Sequence, residues 1–309
     1  MLFERTADQA EGLRRLLVRA STRVVTVAAA RTGLGATSVV VNLASALAQA
    51  GKDVLVLDEN LSHDNVANML GLKPRYDLLN AVRRDKSWRE IMLPAQRGVR
   101  ILPAARAMQA LPKLSPSERE CLLECLTEAS CGIDIVLVDA AISEAPARGA
   151  SAGRCISARP AFAGLASDQP LLLVLNATAS AITESYAMIK RMAMQDGRQS
   201  FEIVVNKVRD EQEARVIFGN MAQVARRHLN VRVEYLGCIP VDGKLKRATQ
   251  LCRPVVEAFP TTPAALAFGE LGRNLMLLPA AGDNEAGGLP DVVQRLIRQA
   301  CSPNVAYAN

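Results

Sequence analysis

Apolar and polar residues follow one another in blocks that predict strands separated by helices. Short runs rich in Val, Ile and Leu are typical of strands buried on both faces of a parallel sheet. Longer segments with helical spacing lie between them, such as 37–49 and 115–129. In the second segment, Ser115 and Pro116 form a typical helix start, with serine as the N-cap and proline as the first helical residue. This alternation favours one α/β domain. The predicted strands cover residues 24–29, 54–58, 98–103, 134–139, 171–175, 201–205 and 231–238.

The first predicted strand runs into a turn with most features of a phosphate-binding loop. Residues 30–38 read ARTGLGATS, in which Gly33 and Gly35 permit a tight turn into the following helix. Such a turn directs backbone N–H groups and a helix N-terminus at phosphates. The pattern G-x-x-x-x-G-K-[ST] would place glycine at Ala30 and lysine at Ala36. On these residues alone, an ordinary βα turn with two glycines is the alternative.

Two further strands end in a carboxylate. Asp58 ends the run 54–58, and Asp139 ends the run 134–139. An open parallel sheet binds its ligand at the carboxyl ends of its strands, and oxygen ligands suit Mg²⁺. We therefore expect Thr37, Asp58 and Asp139 to hold Mg²⁺, with Thr37 contributing its hydroxyl.

This combination resembles the MinD/ParA family of deviant phosphate-loop ATPases, whose loop reads K-G-G-x-G-K-[ST]. Arg31 stands at the family's first lysine, Thr32 at its first glycine and Ala36 at its second lysine. The resemblance covers residues 23–278 and implies a P-loop NTPase fold, a doubly wound, mainly parallel sheet with helices on both faces. It also implies a site for ATP or ADP with Mg²⁺. The implied nucleotide contacts are Arg31, Thr32, Gly33, Leu34, Gly35, Ala36, Thr37, Ser38, Asn206, Pro240 and Asp242.

The residue at position 36 predicts weakened nucleotide binding. A lysine there would neutralise the β- and γ-phosphates, and its replacement by Ala36 should cost about 1.5–3 kcal/mol of binding free energy. Arg31 keeps a positive charge in the loop. In the resembling family the first lysine reaches across a face-to-face dimer to the partner's nucleotide, which implies a homodimer for this chain.

Poor turnover is predicted from two further departures. The family's D-x-D motif, whose second aspartate positions the attacking water, reads Asp58-Glu59-Asn60 here, and Asn60 cannot accept a proton. A glycine of the family's switch region is replaced by Ala141. Glu59 and Asp64 are the nearby carboxylates that remain as alternative water-positioning groups. We therefore expect an ATPase with its catalytic residues largely missing.

Residues 1–22 are expected to form an amphipathic helix that binds a partner. Apolar residues recur on one face, and the segment DQAEGLR at 8–14 looks like the D-Q-A-x-x-L-R motif of the family's flagellar branch, FlhG or FleN. That resemblance implies an FlhF-type SRP GTPase as the partner. A helix packed on its own domain is the alternative. The expected contact residues are Asp8, Gln9, Ala10, Leu13 and Arg14.

After a predicted nucleotide-binding domain at 23–280, residues 281–309 are expected to form a flexible linker and a short amphipathic helix. This helix resembles the membrane-targeting helix of MinD-type proteins, which implies peripheral binding at the cytoplasmic face of the inner membrane. One copy should bind weakly and two copies in a dimer more strongly. A terminal helix packed on the domain is the alternative. The expected membrane contacts are Val292, Val293, Leu296 and Ile297.

Composition narrows the function class. With 50% hydrophobic residues the 309-residue chain is not expected to be disordered, and the lack of a long apolar run or a signal peptide predicts a cytoplasmic protein. A net charge of +6 fits anionic partners or an ordinary basic surface, but 4% aromatic residues argue against specific nucleic-acid binding. The resemblance to the family's flagellar branch implies a regulator of flagellar number or placement. An active, membrane-cycling ATPase and a ParA-like DNA partition protein are the alternatives.

Overall fold

The predicted hydrophobic runs form the strands of one sheet. The computed structural model describes residues 22–96, 98–140, 143–145, 157–159, 169–278 and 288–301. The strands are β1 (Arg23–Ala29), β2 (Val54–Asp58), β3 (Leu93–Pro94), β4 (Val99–Pro103), β5 (Ile135–Asp139), β6 (Ser143–Ala145), β7 (Ser157–Arg159), β8 (Leu171–Asn176), β9 (Ser200–Val208) and β10 (Arg232–Pro240).

Eight of the described strands form a sheet in the order β10-β9-β8-β1-β5-β2-β4-β3. Its pairs are parallel except for the short edge strand β3, which runs antiparallel to β4. The strand order reverses at β1, with β5 on one side and β8 on the other. Ligands of open α/β sheets bind at such a reversal, beyond the carboxyl ends of the strands.

Helices connect the strands. Their bounds are α1 (Ala36–Gln49), α2 (Val66–Met69), α3 (Leu78–Val82), α4 (Trp88–Ile91), α5 (Ala105–Ala110), α6 (Pro116–Ala129), α7 (Ala179–Asp196), α8 (Glu211–Leu229), α9 (Gly243–Gln250), α10 (Val255–Ala258), α11 (Pro263–Leu277) and α12 (Leu289–Cys301), with a 3₁₀ turn at Leu111–Lys113.

Helices cover both faces of the sheet, as strand β5 demonstrates. Ile135 and Leu137 are buried in one apolar layer, while Val136 and Val138 are buried in the layer on the opposite face. Because alternate residues of a strand point to opposite faces, a strand apolar at every position must be covered twice. The doubly wound, mainly parallel sheet with helices on both faces is confirmed.

Local signals at the helix ends also agree with the structure. Ser115 caps α6, and Glu118 completes a capping box with it, as the serine before Pro116 indicated. The Ala, Arg, Gly and Ser content of residues 145–167 predicts an elongated surface loop, and this prediction is wrong in part. Its described pieces include the end of β6 and all of β7, which pair as a short antiparallel ladder.

Helix α12 packs on the domain. Leu289, Val292 and Val293 are buried in the same apolar layer as Leu122 and Leu126 of α6, and Ile297 packs against that layer while half-buried. The side chain of Leu296, residues 1–21 and the linker at 279–287 lie outside the described residues. Membrane binding through Val292, Val293 and Ile297 stays a prediction and would require this helix to leave the domain.

No helix in the described part of the chain is long and apolar enough to cross a membrane. The thiols of five cysteines are free: Cys121, Cys125, Cys131, Cys238 and Cys252. Within the same described ranges, no group of three or more His, Cys, Asp and Glu side chains is placed to bind a metal ion.

Candidate functional site

The turn after β1 has the backbone geometry of an anion-binding loop. Gly33 and Gly35 adopt left-handed conformations, with φ of 82° and 101°. Gly35 is the N-cap of α1, and no side chain among the described residues caps this helix. The first N–H groups of α1 are therefore available to an anion at the carboxyl ends of the strands. Residues 31–38 form this loop and the start of α1, where the sequence placed them.

The end of β9 supports the loop. The side chain of Asn206 is buried, and its Nδ2 donates a hydrogen bond of 2.9 Å to the carbonyl of Leu34. A Cβ on Gly35 would collide with that nitrogen, so only glycine fits beneath it. The neighbouring Lys207 donates from Nζ to the carbonyl of Gly33 at 3.1 Å. Asn206, expected to contact nucleotide, thus also fixes the loop's shape.

The charged residue of the loop is paired within the chain. Arg31 Nε lies 2.8 Å from Oε2 of Glu184 on α7, with the two side chains 39% and 32% exposed. Arg31 was expected to replace the family's first lysine, and that expectation stays a prediction. In this conformation its charge is directed at α7.

Thr37, Asp58, Asn60 and Asp139 meet at the ends of α1, β2 and β5. Asp58 and Asp139 are direct register partners on neighbouring strands. Asn60 Nδ2 donates to Thr37 Oγ1 at 3.3 Å, and both Thr37 and Asn60 hydrogen-bond to the carboxylate of Asp139. The structure therefore brings the three predicted magnesium ligands together with Asn60, which the sequence aligns with the family's water-positioning aspartate.

Burial makes this cluster electrostatically unfavourable for two free carboxylates. Burial, and then the negative charge of Asp58, raise the pKa of Asp139 to about 8. Burial also raises the pKa of Asp58 to about 6, against the opposing effect of backbone hydrogen bonds from Asn60, Ala67 and Val66. A cation in the cluster would stabilise both ionised forms.

The donor set fits a hard cation. Oδ2 of Asp139 is buried and has no hydrogen-bond partner among the described residues. The hydroxyl of Thr37 is next to that carboxylate, and oxygen ligands of this kind suit Mg²⁺. Both carboxylate oxygens of Asp58 accept hydrogen bonds from backbone N–H groups. These bonds fix its negative charge close to the position that a metal ion would occupy. The metal roles of these residues remain predictions.

Two predicted nucleotide contacts lie at the carboxyl end of β10. Pro240 ends that strand beside β9. Asp242 caps α9 by accepting from the N–H of Lys244 at 2.7 Å, and it also accepts from the N–H of Ala264 at 3.2 Å. Its carboxylate is thus already engaged by backbone groups, and a contact of Asp242 with nucleotide stays a prediction.

The alternative water-positioning carboxylates differ in their surroundings. Glu59 is buried, and its N–H donates to the carbonyl of Asp139 at 3.1 Å. Asp64 is exposed in the turn that leads to α2. Ala141 and the partner-binding residues Asp8, Gln9, Ala10, Leu13 and Arg14 lie outside the described residues.

Sequence reasoning missed Lys207 and Glu184. Lys207 follows the predicted Asn206 directly, and this adjacency was the available signal. Glu184 lies 153 positions after its partner Arg31, on α7, and no local sequence pattern marks it. Both contacts form only when β8 and β9 are placed beside β1.

Comparison with known proteins agrees with this geometry. Residues 25–255 match the family model described as the CobQ/CobB/MinD/ParA nucleotide binding domain. The chain is 33% identical to antiactivator FleN of Pseudomonas aeruginosa over 89% of this chain and 94% of that protein. It is 24% identical to flagellum site-determining protein YlxH of Helicobacter pylori over 74% of this chain and 73% of that protein.

A solved structure shares the fold. The septum site-determining protein MinD complexed with Mg-ADP from Pyrococcus horikoshii superimposes with a TM-score of 0.57 at 21% identity. The match covers 83% of this chain and 96% of that one. At this identity the likeness shows the fold.

Proposed function

The chain belongs to the CobQ/CobB/MinD/ParA nucleotide-binding family, and we propose that it regulates the number or placement of flagella. The observation that carries the proposal is the 33% identity to an antiactivator FleN across 89% of this chain and 94% of that protein. A flagellum site-determining protein matches over 74% of this chain. An overlap over nearly the whole length is expected of proteins that share an organisation as well as a domain.

We infer that the site binds ATP or ADP with Mg²⁺, with weakened affinity. The loop offers unpaired N–H groups at the start of α1, which favours phosphate. Thr37 and Asp139 would hold the metal, with Asp58 as a nearby negative charge. Bound Mg²⁺ would neutralise phosphate charge. The charge of a lysine at position 36 is missing, which is the physical reason for weakened binding.

We infer that turnover is poor. Asn60 lies where the family's water-positioning aspartate is expected, and its amide is engaged with the Thr37 hydroxyl and the Asp139 carboxylate. An amide can orient a water but cannot take its proton. The chain would then act as a nucleotide-dependent binding protein, with an efficient ATPase as the alternative.

Dimerisation and membrane contact belong to the same proposal. Face-to-face pairing would bring Arg31 to a second copy, after it separates from Glu184. Release of α12 from the domain would expose the face that contains Val292, Val293 and Ile297 to lipid. Both steps break contacts that the isolated chain makes, so we propose that nucleotide binding favours them. The chain would then associate peripherally with the cytoplasmic face of the membrane.

Residues 8–17 would contact an FlhF-type GTPase as a helix and raise its rate of GTP hydrolysis. The support is the D-Q-A-x-x-L-R resemblance at 8–14. Full-length protein and a peptide of residues 1–22 should both stimulate GTP turnover, measured as phosphate release. Gln9→Ala should lose stimulation with little loss of binding if Gln9 acts in the transition state. Equal stimulation by a chain that begins at Arg23 would contradict this partner contact.

The flagellar role itself is tested in cells. Deleting the gene in its source organism should change the number or position of flagella counted by electron microscopy, and the intact chain should restore them. Unchanged flagella would overturn the proposal. A DNA partition role would instead require DNA binding that weakens as salt is raised, and binding of this kind would favour the ParA-like alternative.

A further inference from the structure

No positively charged side chain within the phosphate loop, residues 30–38, is free to bind phosphate. Position 36 is alanine, and the guanidinium of Arg31 is 2.8 Å from Glu184. Transferred phosphoryl groups carry negative charge that loop lysines normally offset. A loop of this shape therefore needs a cation from another element if it is to hold several phosphates.

Lys207 brings an ammonium group to this loop from the end of β9. Its Nζ donates to the carbonyl of Gly33 at 3.1 Å, although the two residues are 174 positions apart. The side chain is exposed, so its ammonium can exchange partners at little cost. A neutral carbonyl is a weaker acceptor for an ammonium group than a charged phosphate oxygen.

The backbone at Lys207 is built to direct this side chain. Residue 206 pairs with Ile239 and residue 208 with Pro240, so Lys207 is a bulge in the ladder with β10. Its φ is 58°, a left-handed conformation that lysine rarely adopts. The Asn206 side chain stabilises it by accepting the N–H of Lys207 at 2.9 Å. Bulges and strained residues of this kind re-aim side chains next to binding sites.

We propose that Lys207 supplies the phosphate-binding positive charge that the loop lacks at Ala36. The cation then comes from the carboxyl end of β9, and Asn206 positions it by fixing both the loop and the bulge. This inference rests on the proposed binding of nucleotide. It adds that the loss of the loop lysine is offset within the same chain, by a residue far away in sequence.

The test is the dissociation constant of ATP, ADP and AMP, measured by titration calorimetry on the full chain. Lys207→Gln keeps a hydrogen-bond donor for Gly33 and removes the charge. It should weaken ATP binding by about tenfold, ADP binding less and AMP binding little, because the lost interaction is with the distal phosphates. Lys207→Arg keeps the charge and should remain close to wild type. Lys52→Gln removes the charge of a half-buried lysine just before β2, at the end of the sheet where the strands begin, and should change none of the three constants.

Lys207→Gln is tested more sharply in a chain whose loop already carries a lysine. In Ala36→Lys the loop has its own cation, so Lys207→Gln should cost several-fold less ATP affinity than in the wild type. Lys207→Asn, whose side chain tolerates a left-handed backbone, replaces the glutamine variant if that protein misfolds in circular dichroism.

The outcomes separate the two claims. If wild-type chain binds ATP and Lys207→Gln binds it equally well, or loses ATP and AMP affinity to the same extent, Lys207 does not act on the distal phosphates. The inference would also be overturned if Lys207→Gln loses as much ATP affinity in the Ala36→Lys background as in the wild type. If the wild type binds none of the three nucleotides, the proposed nucleotide site falls and the role of Lys207 falls with it.

Discussion

Arg31 in the phosphate loop and Glu184 on α7 form an ion pair with 2.8 Å between Nε and Oε2. The pair joins the loop to a helix that follows β8, on the other side of β1 in the sheet. A guanidinium that reaches across a dimer interface must first leave this carboxylate. The pair therefore opposes any dimer in which Arg31 acts in trans.

Glu184→Gln should shift the chain toward a nucleotide-dependent dimer. The amide keeps the shape of the side chain and removes its charge, which frees Arg31. Because partly exposed ion pairs contribute at most about 1 kcal/mol, the dimer dissociation constant should fall by no more than about fivefold. Sedimentation velocity with ATP and Mg²⁺ measures it. Arg31→Gln should abolish the gain, and an unchanged dimer constant in Glu184→Gln would contradict the account.

Gly35→Ala should destabilise the chain more than Gly33→Ala. Both glycines have left-handed backbones, which cost a side-chain-bearing residue about 1–2 kcal/mol. The methyl group at position 35 would also collide with Nδ2 of Asn206, whereas nothing among the described residues lies within 4 Å of a methyl group at position 33. Urea unfolding should show a further loss of about 1–3 kcal/mol for Gly35→Ala. Adding Asn206→Ala should narrow the difference, and equal losses in the two single variants would contradict the steric argument.

Asn60→Asp should restore little activity by itself. A third carboxylate beside Asp58 and Asp139 raises the negative charge of a site that has no lysine at position 36. The variant should therefore bind ATP more weakly than wild type in titration calorimetry. In the double variant with Ala36→Lys, the added positive charge offsets the added negative charge. ATP binding should therefore recover first, and turnover should recover less. Efficient phosphate release by Asn60→Asp alone would show that the loop lysine is not required.

In the absence of metal, stability should fall as the pH rises from about 4 to about 8. Asp139 and Asp58 have folded-state pKa values of about 8 and about 6, above the unfolded value of about 3.9. The folded chain then binds these protons more tightly than the unfolded chain, so their ionisation reduces the free energy of unfolding. Urea unfolding in EDTA measures the slope. Asp139→Asn should flatten it, and an identical slope in wild type and variant would contradict this assignment.

Val293→Ala should release α12 from the domain. Val293 is fully buried against the apolar layer that contains α6, and its truncation should remove about 1–2 kcal/mol of docking energy. Amides of 289–301 should exchange hydrogen faster while those of β1 and β5 stay protected. Sedimentation with anionic vesicles should rise, because the helix keeps its apolar character. The helix would have a structural role if hydrogen exchange in 289–301 is unchanged in Val293→Ala. The same conclusion would follow if neither the wild type nor the variant binds vesicles, even as a dimer.

Much of the fold could be predicted because the central strands are apolar at every position, which leaves burial under two helical layers as the stable arrangement. Gly33 and Gly35 indicated the loop because few other residues adopt its backbone. The ladder at 143–145 and 157–159 could not be predicted, since three-residue strands give no periodic signal.

The contacts of Arg31 and Lys207 could not be predicted for another reason. Each joins residues more than 150 positions apart, and only the strand order places them together. Helix α12 shows the remaining ambiguity. The apolar face of an amphipathic helix packs equally well on a protein surface or a lipid surface, so its sequence pattern alone does not choose between them.

Calorimetric titration of the full chain with ATP in the presence of Mg²⁺ decides whether this site binds nucleotide and whether it hydrolyses it, because binding and hydrolysis give separable heats. We expect a saturable binding isotherm whose baseline returns after each injection, and loss of that isotherm in Asp139→Ala. Absence of binding heat would contradict nucleotide binding. A sustained heat of hydrolysis that disappears in Thr37→Ala would contradict poor turnover and identify an active ATPase.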